Sequence, residues 1–228
     1  MGVHDGHRER LRDRFINHGL DSFNDINALE LLLFYAIPRR DTNVIAHALL
    51  DTFGSLSNVF SASVQELCQV PGIGENAAAL ICLLPQLMKK SAVSKAAAIQ
   101  TILCSEDAGN YLLPRFLYEE DEVVLMLCLD SQSRIINCTE IGRGVVNAVE
   151  TSIRRIVETA LKNKATSVIM AHNHPDGLAM PSIEDDAVTK KISESLSLVG
   201  ITLADHLVVA GEDFFSYRDS GYLGSYGD

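Results

Sequence analysis

The chain lacks any apolar run long enough to cross a bilayer. Its longest runs, such as Val123 to Leu129, fall far short of the roughly 20 residues a spanning helix needs, so no membrane partner is expected. It also lacks a C-x-x-C pair. Its five cysteines (Cys68, Cys82, Cys104, Cys128 and Cys138) are odd in number and scattered through apolar surroundings. That excludes a thiolate metal site and suits reduced, buried thiols in a reducing compartment. The start, Met1-Gly2-Val3-His4-Asp5, has no basic-then-apolar layout, so a cytoplasmic protein is expected. Tryptophan is missing too, which excludes nothing, and there is no internal repeat or low-complexity tract. Basic residues are scarce: 19 Lys and Arg stand against 30 Asp and Glu, for a net charge of −11. Residues 1–98 carry nine basic against ten acidic residues, and residues 99–228 ten against twenty. The acidic second part argues against a broad phosphate-binding face there, so any nucleic-acid contact is expected in the near-neutral first part.

At 228 residues and 47% hydrophobic content the chain is long enough for a small and a medium domain. Residues 1–90 read as helical. Leu11 and Phe15 lie four apart in a charged stretch, and Asp25 is placed to cap a helix carrying Leu29, Leu32 and Leu33 that Pro38 closes. A helix from about Thr42 carries Val44, Ile45, Ala48 and Leu49, with Gly54 where a C-terminal cap belongs. Ser63-Val64-Gln65-Glu66 is a capping-box pattern, and Pro71-Gly72-Ile73-Gly74 then leads into an alanine-rich helix. Residues 91–100 are small and polar and read as a linker or a helix tail running into one.

Residues 101–228 alternate strands and helices, which predicts an α/β domain with a mixed sheet. A helix is expected over Ser105 to Leu113, before Pro114, followed by strands over Val123 to Leu129 and Arg134 to Thr139. Ile153, Ile156, Val157, Ala160 and Leu161 give helical periodicity over Asn147 to Asn163. Thr166 to Ala171 reads as a buried strand, and a helix carrying Ala187, Val188, Ile192, Leu196 and Val199 spans about Ile183 to Leu198. Two strands, His206 to Ala210 and Phe214 to Tyr217, flank the turn Gly211-Glu212-Asp213.

The chemistry concentrates in His172-Asn173-His174, followed by Ser182 and Asp185. Side chains two apart on a strand point the same way, so His172 and His174 face one point while Asn173 turns away. Pro181-Ser182 opens the next helix, whose first turn brings the Asp185 carboxylate back toward the strand end. Two imidazoles and a carboxylate with one open position are what a catalytic zinc site uses. The same letters have a structural reading, because Ser182-Ile183-Glu184-Asp185 is close to a capping box and acidic residues suit a helix N-terminus.

The spacing H-x-H, seven residues, Ser, two residues, Asp resembles the motif of the JAB/MPN (JAMM) metalloenzymes. The resemblance implies a cytidine-deaminase-like sheet flanked by helices, with Zn2+ held by His172, His174 and Asp185. It implies that Glu140, in C-T-E-I-G-R-G, acts as a general base, and that Ser182 helps to hold a developing oxyanion. Over the whole chain the sequence resembles the RadC-like proteins, through Arg8 to Leu11, Phe53 to Leu56, Pro71 to Gly74, Glu140 to Gly144, Ala171 to Pro175 and Asp205-His206. It departs from that family at Asp176, where Ser is common, and at Ser152-Ile153, where a His-Pro pair is common.

The activity so implied is a zinc-dependent metallopeptidase or isopeptidase acting on a protein or peptide substrate, with a DNA repair or mobile-element association. The hairpin Gly72, Ile73 and Gly74 has two readings. One is a contact of helix-hairpin-helix type to duplex or branched DNA, and the other is a tight helix-helix turn. Glu75 and Asn76 stand where a basic residue usually follows the second glycine. A DNA-associated accessory protein and a metal-dependent nuclease are therefore carried as alternatives. HNH nucleases disperse their residues over a ββα unit, and nucleobase deaminases need H-x-E with P-C-x-x-C; neither pattern occurs here.

Overall fold

The computed structural model describes residues 5–144, 149–175 and 177–223, with backbone alone for residue 5 and residues 149–152. Asn147 and Asp176, together with the side chain of Ser152, lie outside that description. The chain forms two compact units, Met1–Met88 and Lys89–Asp228.

In the first unit, helices α1 (Asp5–His18), α2 (Asp25–Ala36), α3 (Thr42–Phe53), α4 (Leu56–Ser61) and α5 (Val64–Leu67) are followed by α6 (Glu75–Ala96), which carries the chain into the second unit. The cap of α2 is Asn24 and not Asp25: the Asn24 side chain accepts from the Asn27 N–H at 2.9 Å, and Asp25 is the first helical residue, where its charge suits the helix dipole. Gly54 ends α3 in the left-handed region at φ 81°, and Ser63 and Glu66 form the expected capping box. Leu29, Leu33, Ile45, Leu49, Leu67 and Ile81 make the buried centre. The segment read as a linker is helical as far as Ala96, and the helix runs through Pro85.

The second unit is a layered α/β fold. Strands β1 (Val123–Leu129), β2 (Ile135–Arg143), β3 (Ser167–Asn173), β4 (Thr202–Ala210) and β5 (Asp213–Ser216) form a sheet of order β2-β1-β3-β4-β5. Only β3 and β4 pair in parallel, so the sheet is mixed, as expected. Helix α7 (Ser105–Phe116) covers one face, where Leu112 and Phe116 meet Leu125, Leu127, Ala171 and Leu207. Helices α8 (Val149–Lys162) and α9 (Ile183–Ser197) cover the other, where Ile156, Ala160, Ile192 and Leu196 meet Met126, Val168 and Met170. Alternating strand residues feed the two layers. Helix α7 does not stop before Pro114 but includes it; a proline this close to the end disturbs only the last turn. Strand β2 is longer than expected and takes in Glu140. Cys128 is buried, Cys68, Cys82 and Cys138 are partly buried, and Cys104 is exposed beside the start of α7. Ala187 and Val199, expected on the apolar side of α9, are exposed.

The two hairpin glycines differ. Gly72 has φ +97°, and a Cβ there would stand 2.9 Å from Ile45 Cδ1, whereas Gly74 has open space and no positive φ. Gly72 therefore serves the turn and its contact with α3. Gly72→Ala should cost about 2–4 kcal/mol through left-handed strain and overpacking, and Gly74→Ala less than about 0.5 kcal/mol, in urea unfolding of the full chain. Equal costs would contradict this division of labour.

Candidate metal centre

Strand β3 continues through Asn173, so His172 lies within the sheet, and the backbone N–H of His174 donates to Val209 O at 2.8 Å just past its end. Asn173 is turned away as alternation requires. Its side chain accepts from Val123 N at 2.7 Å and donates to Asp121 O at 3.0 Å, fixing the start of β1. His172 sits in register with Val124 and Val208, on the α8 and α9 side of the sheet. Helix α9 starts over that point. Ser182 caps it, accepting from Asp185 N at 3.1 Å, while Asp185 Oδ2 accepts from Ser182 N at 2.8 Å and Ser182 Oγ at 2.7 Å. The capping box and the ligand arrangement are thus one structure and not rivals: the cap aims Asp185 at the histidines.

His172, His174 and Asp185 are the one group among the described residues whose donor atoms are gathered closely enough to hold a metal ion. The two Nε2 atoms are 3.1 Å apart, Asp185 Oδ1 is 3.2 Å from His172 Nε2, and Asp185 Oδ2 is 3.5 Å from His174 Nε2. Ligands at zinc distances of about 2.0–2.1 Å in a tetrahedron stand about 3.3–3.4 Å from one another. The observed separations lie close to that figure, with a different Asp185 oxygen nearest each histidine.

Hydrogen bonds fix the tautomers. Thr189 Oγ1 donates to Asp185 O at 2.6 Å, so in its 2.6 Å contact with His206 it accepts from Nδ1–H. His206 Nε2 is then an acceptor and takes the proton of His172 Nδ1–H at 2.9 Å. His172 Nε2 is left outside this relay and faces Asp185 Oδ1 at 3.2 Å. His174 Nδ1, 3.2 Å from Leu178 O, must also carry its proton, because a carbonyl only accepts. Its Nε2 faces the same point. Two imidazole nitrogens and a carboxylate therefore converge on one point, and either a proton between His172 and Asp185 or a bound cation relieves their repulsion.

Where no metal lies between them, the proton on His172 takes the place of the cation. Burial pushes the Asp185 carboxyl up, but hydrogen bonding and charge from His172, then Ser182, outweigh it and hold the group well below the usual carboxylate range. Burial and the neighbouring His172 push His206 well below the ordinary imidazole value, so it is the neutral link that the chain of hydrogen bonds needs. Tyr217 stacks on the His206 ring at 5.1 Å between centroids and donates to Asp186 at 2.8 Å. Asp205, whose carboxyl burial pushes up, accepts from Ser216 Oγ and Arg218 N and joins β4 to β5. Gly177 leaves room for the His174 side chain, since a Cβ there would come within 3.0 Å of it.

Glu140 is not brought into this cluster. It pairs with Leu125, itself paired with Ala171, so alternation puts it on the α7 side of the sheet, opposite His172. There its carboxylate accepts from Arg143 at 2.9 and 3.3 Å, and Arg143 also bonds Glu119, which in turn pairs with Lys89. A β-bulge lies beside it, between the Val124–Gly142 and Leu125–Glu140 pairs. Ser182 is exposed and its hydroxyl is committed to Asp185. Thr189 and the role of His206 escaped sequence reasoning; Asp205-His206 served only as a resemblance segment, and nothing local to Thr189 signals a partner.

Residues 102–222 match the family model described as the RadC-like JAB domain, and residues 6–79 match that of the UPF0758 N-terminal region. A UPF0758 protein of Fusobacterium nucleatum is 35% identical, over 96% of this chain and 97% of its own length. UPF0758 proteins of Ruegeria pomeroyi and Saccharophagus degradans are 34% and 32% identical, over 95% and 94% of this chain and 97% and 96% of theirs.

Because Thr189 sets the His206 tautomer and through it that of His172, Thr189→Val should weaken metal affinity about 10- to 100-fold. Thr189→Ser should restore it. Competition against a chromophoric zinc chelator reads both, and an unchanged affinity in Thr189→Val would show the chain of hydrogen bonds to be incidental.

Proposed function

The chain belongs to the RadC-like JAB domain family, and on that premise we propose that its second unit is a zinc-dependent hydrolase cleaving an amide or isopeptide bond in a protein or peptide. The observation that carries the reading is the convergence of His172 Nε2, His174 Nε2 and the ionised Asp185 carboxylate within 3.1–3.5 Å of one another. Zinc held by them would supply Lewis acidity for a carbonyl oxygen and make water acidic near neutral pH. His172, fixed by His206, and His174, fixed by Leu178 O, would hold their rings still through the reaction. Ser182 Oγ, whose proton goes to Asp185 Oδ2, would turn from that carboxylate to donate to the carbonyl oxygen as that oxygen gains charge.

Glu140 is proposed as the base that takes a proton from the attacking water and returns it to the leaving amine. Its backbone lies two strand spacings from His172, about 10 Å, on an edge strand with a bulge beside it. A one-residue slip at such a bulge turns a side chain to the opposite face, and so would bring Glu140 from Arg143 to the histidines. Arg143 on this reading holds the base back. The nuclease alternative is weaker, because twenty acidic residues against ten basic ones in residues 99–228 repel a phosphate backbone.

The test is a panel of peptide, isopeptide and DNA substrates given to the zinc-loaded full chain and to Glu140→Gln. Amide or isopeptide cleavage is expected, with Glu140→Gln retaining its zinc and losing about 100- to 10,000-fold in kcat. Arg143→Ala should raise the rate. Cleavage of DNA alone, or full activity in Glu140→Gln, would overturn the assignment.

A further inference from the structure

The first unit holds an open cleft of about 260 Å³ among α1, α2 and α3. We propose that it binds the phosphoryl group of a nucleotide-sized ligand. Three arginines line it, Arg8, Arg39 and Arg40, against two acidic residues, Glu30 and Asp41. In a chain of net charge −11 that local excess of positive charge runs against the overall trend.

The carboxylates are already engaged by the scaffold. Glu30 Oε1 is 2.9 Å from His7 Nε2, Glu30 Oε2 accepts from Asn43 Nδ2 at 3.0 Å, and Asp41 Oδ1 accepts from Asn43 N at 3.0 Å. The arginines are not. Among the described residues, neither the Arg39 nor the Arg40 side chain has a hydrogen-bond or ion-pair partner. Arg8 is held in place through Nη2 alone, which donates to Ile37 O at 2.8 Å and Arg40 O at 2.6 Å, and its guanidinium lies 4.7 Å from the centre of the Phe34 ring. Its remaining N–H groups are preorganised donors.

Thr42 supplies an independent sign of a ligand. It lines the cleft at the first position of α3, it is 1% exposed, and its Oγ1 has no hydrogen-bond partner. Buried hydroxyls are almost always satisfied. A phosphoryl oxygen in the cleft would accept from this hydroxyl and from Arg39 and Arg40, the fork geometry of guanidinium being suited to phosphate oxygens. The volume falls just below the range of about 300–1,000 Å³ usual for small-molecule pockets, which limits the occupant to about one nucleotide. The cleft is separate from the Pro71 to Gly74 hairpin, whose residues do not line it.

Calorimetric titration of the full chain compares adenosine monophosphate with adenosine, and a 5′-phosphorylated tetranucleotide with its unphosphorylated twin. The phosphorylated probe should bind at least about tenfold more tightly than its twin, and Arg39→Ala plus Arg40→Ala should weaken it about 10- to 100-fold. Thr42→Val should weaken it several-fold without lowering the unfolding midpoint, a combination that a merely structural threonine would not give. Binding of the mononucleotide identifies a free nucleotide as the source of the phosphate, and binding of the tetranucleotide alone identifies a strand end. The proposal fails if neither phosphorylated probe binds at millimolar concentration, if removing the phosphate leaves affinity unchanged, or if the arginine and threonine variants bind as the wild type does.

Discussion

Everything at the candidate metal centre depends on one relay of hydrogen bonds, from Asp185 O through Thr189 and His206 to His172 Nδ1. Its two ends are the carbonyl and the imidazole of two candidate ligands, so it ties the first turn of α9 to β3 across a buried neutral histidine on β4. Break it at Thr189 and His206 is free to adopt either tautomer. His172 then loses the bond that fixes its ring and aims its Nε2 at Asp185. The parallel pairing of β3 with β4 is what makes the relay possible, because it sets His206 beside Met170, one pleat from His172. A crossover helix between parallel strands starts near their carboxyl ends, which is where α/β folds place their sites.

The same sheet explains why Glu140 stands apart. The relay and the three ligands occupy the face covered by α8 and α9, while Glu140 shares the other face with Leu125 and Ala171 and is bound to Arg143. His172 and His174 share a face by alternation, whereas the bulge in β2 is the local irregularity that decides which side Glu140 takes. The candidate ligands are thus held on β3 and α9, while Glu140 is paired with Arg143 on β2, with β1 between the two strands.

Much of this was legible in the letters. Two histidines at spacing two on a strand must share a face, and a capping pattern eight residues later must turn a carboxylate toward the strand end, so His172, His174, Ser182 and Asp185 came from local rules. The mixed sheet came from strands spaced both by turns and by helices. What stayed hidden depends on pairing and not on pattern. His206 and Thr189 meet His172 only because β4 and α9 pack where they do. The face of Glu140 hangs on a single bulge, which no alternation rule locates. Asn24 displaced Asp25 as a cap because both are good capping residues one position apart. Helices α6 and α7 ran through Pro85 and Pro114, where tertiary contacts outweigh a local breaker, and Cys104 stayed exposed although free cysteines are usually buried.

The central claim is that two imidazoles and one carboxylate of this chain form a zinc site. X-ray absorption at the zinc edge of the metal-loaded full chain tests it most directly. The account predicts a four-coordinate spectrum with nitrogen and oxygen neighbours at about 2.0–2.1 Å and the multiple-scattering signature of two imidazoles, one of which is lost in His174→Ala. A sulfur neighbour at about 2.3 Å, or a spectrum unchanged in His174→Ala, would contradict it.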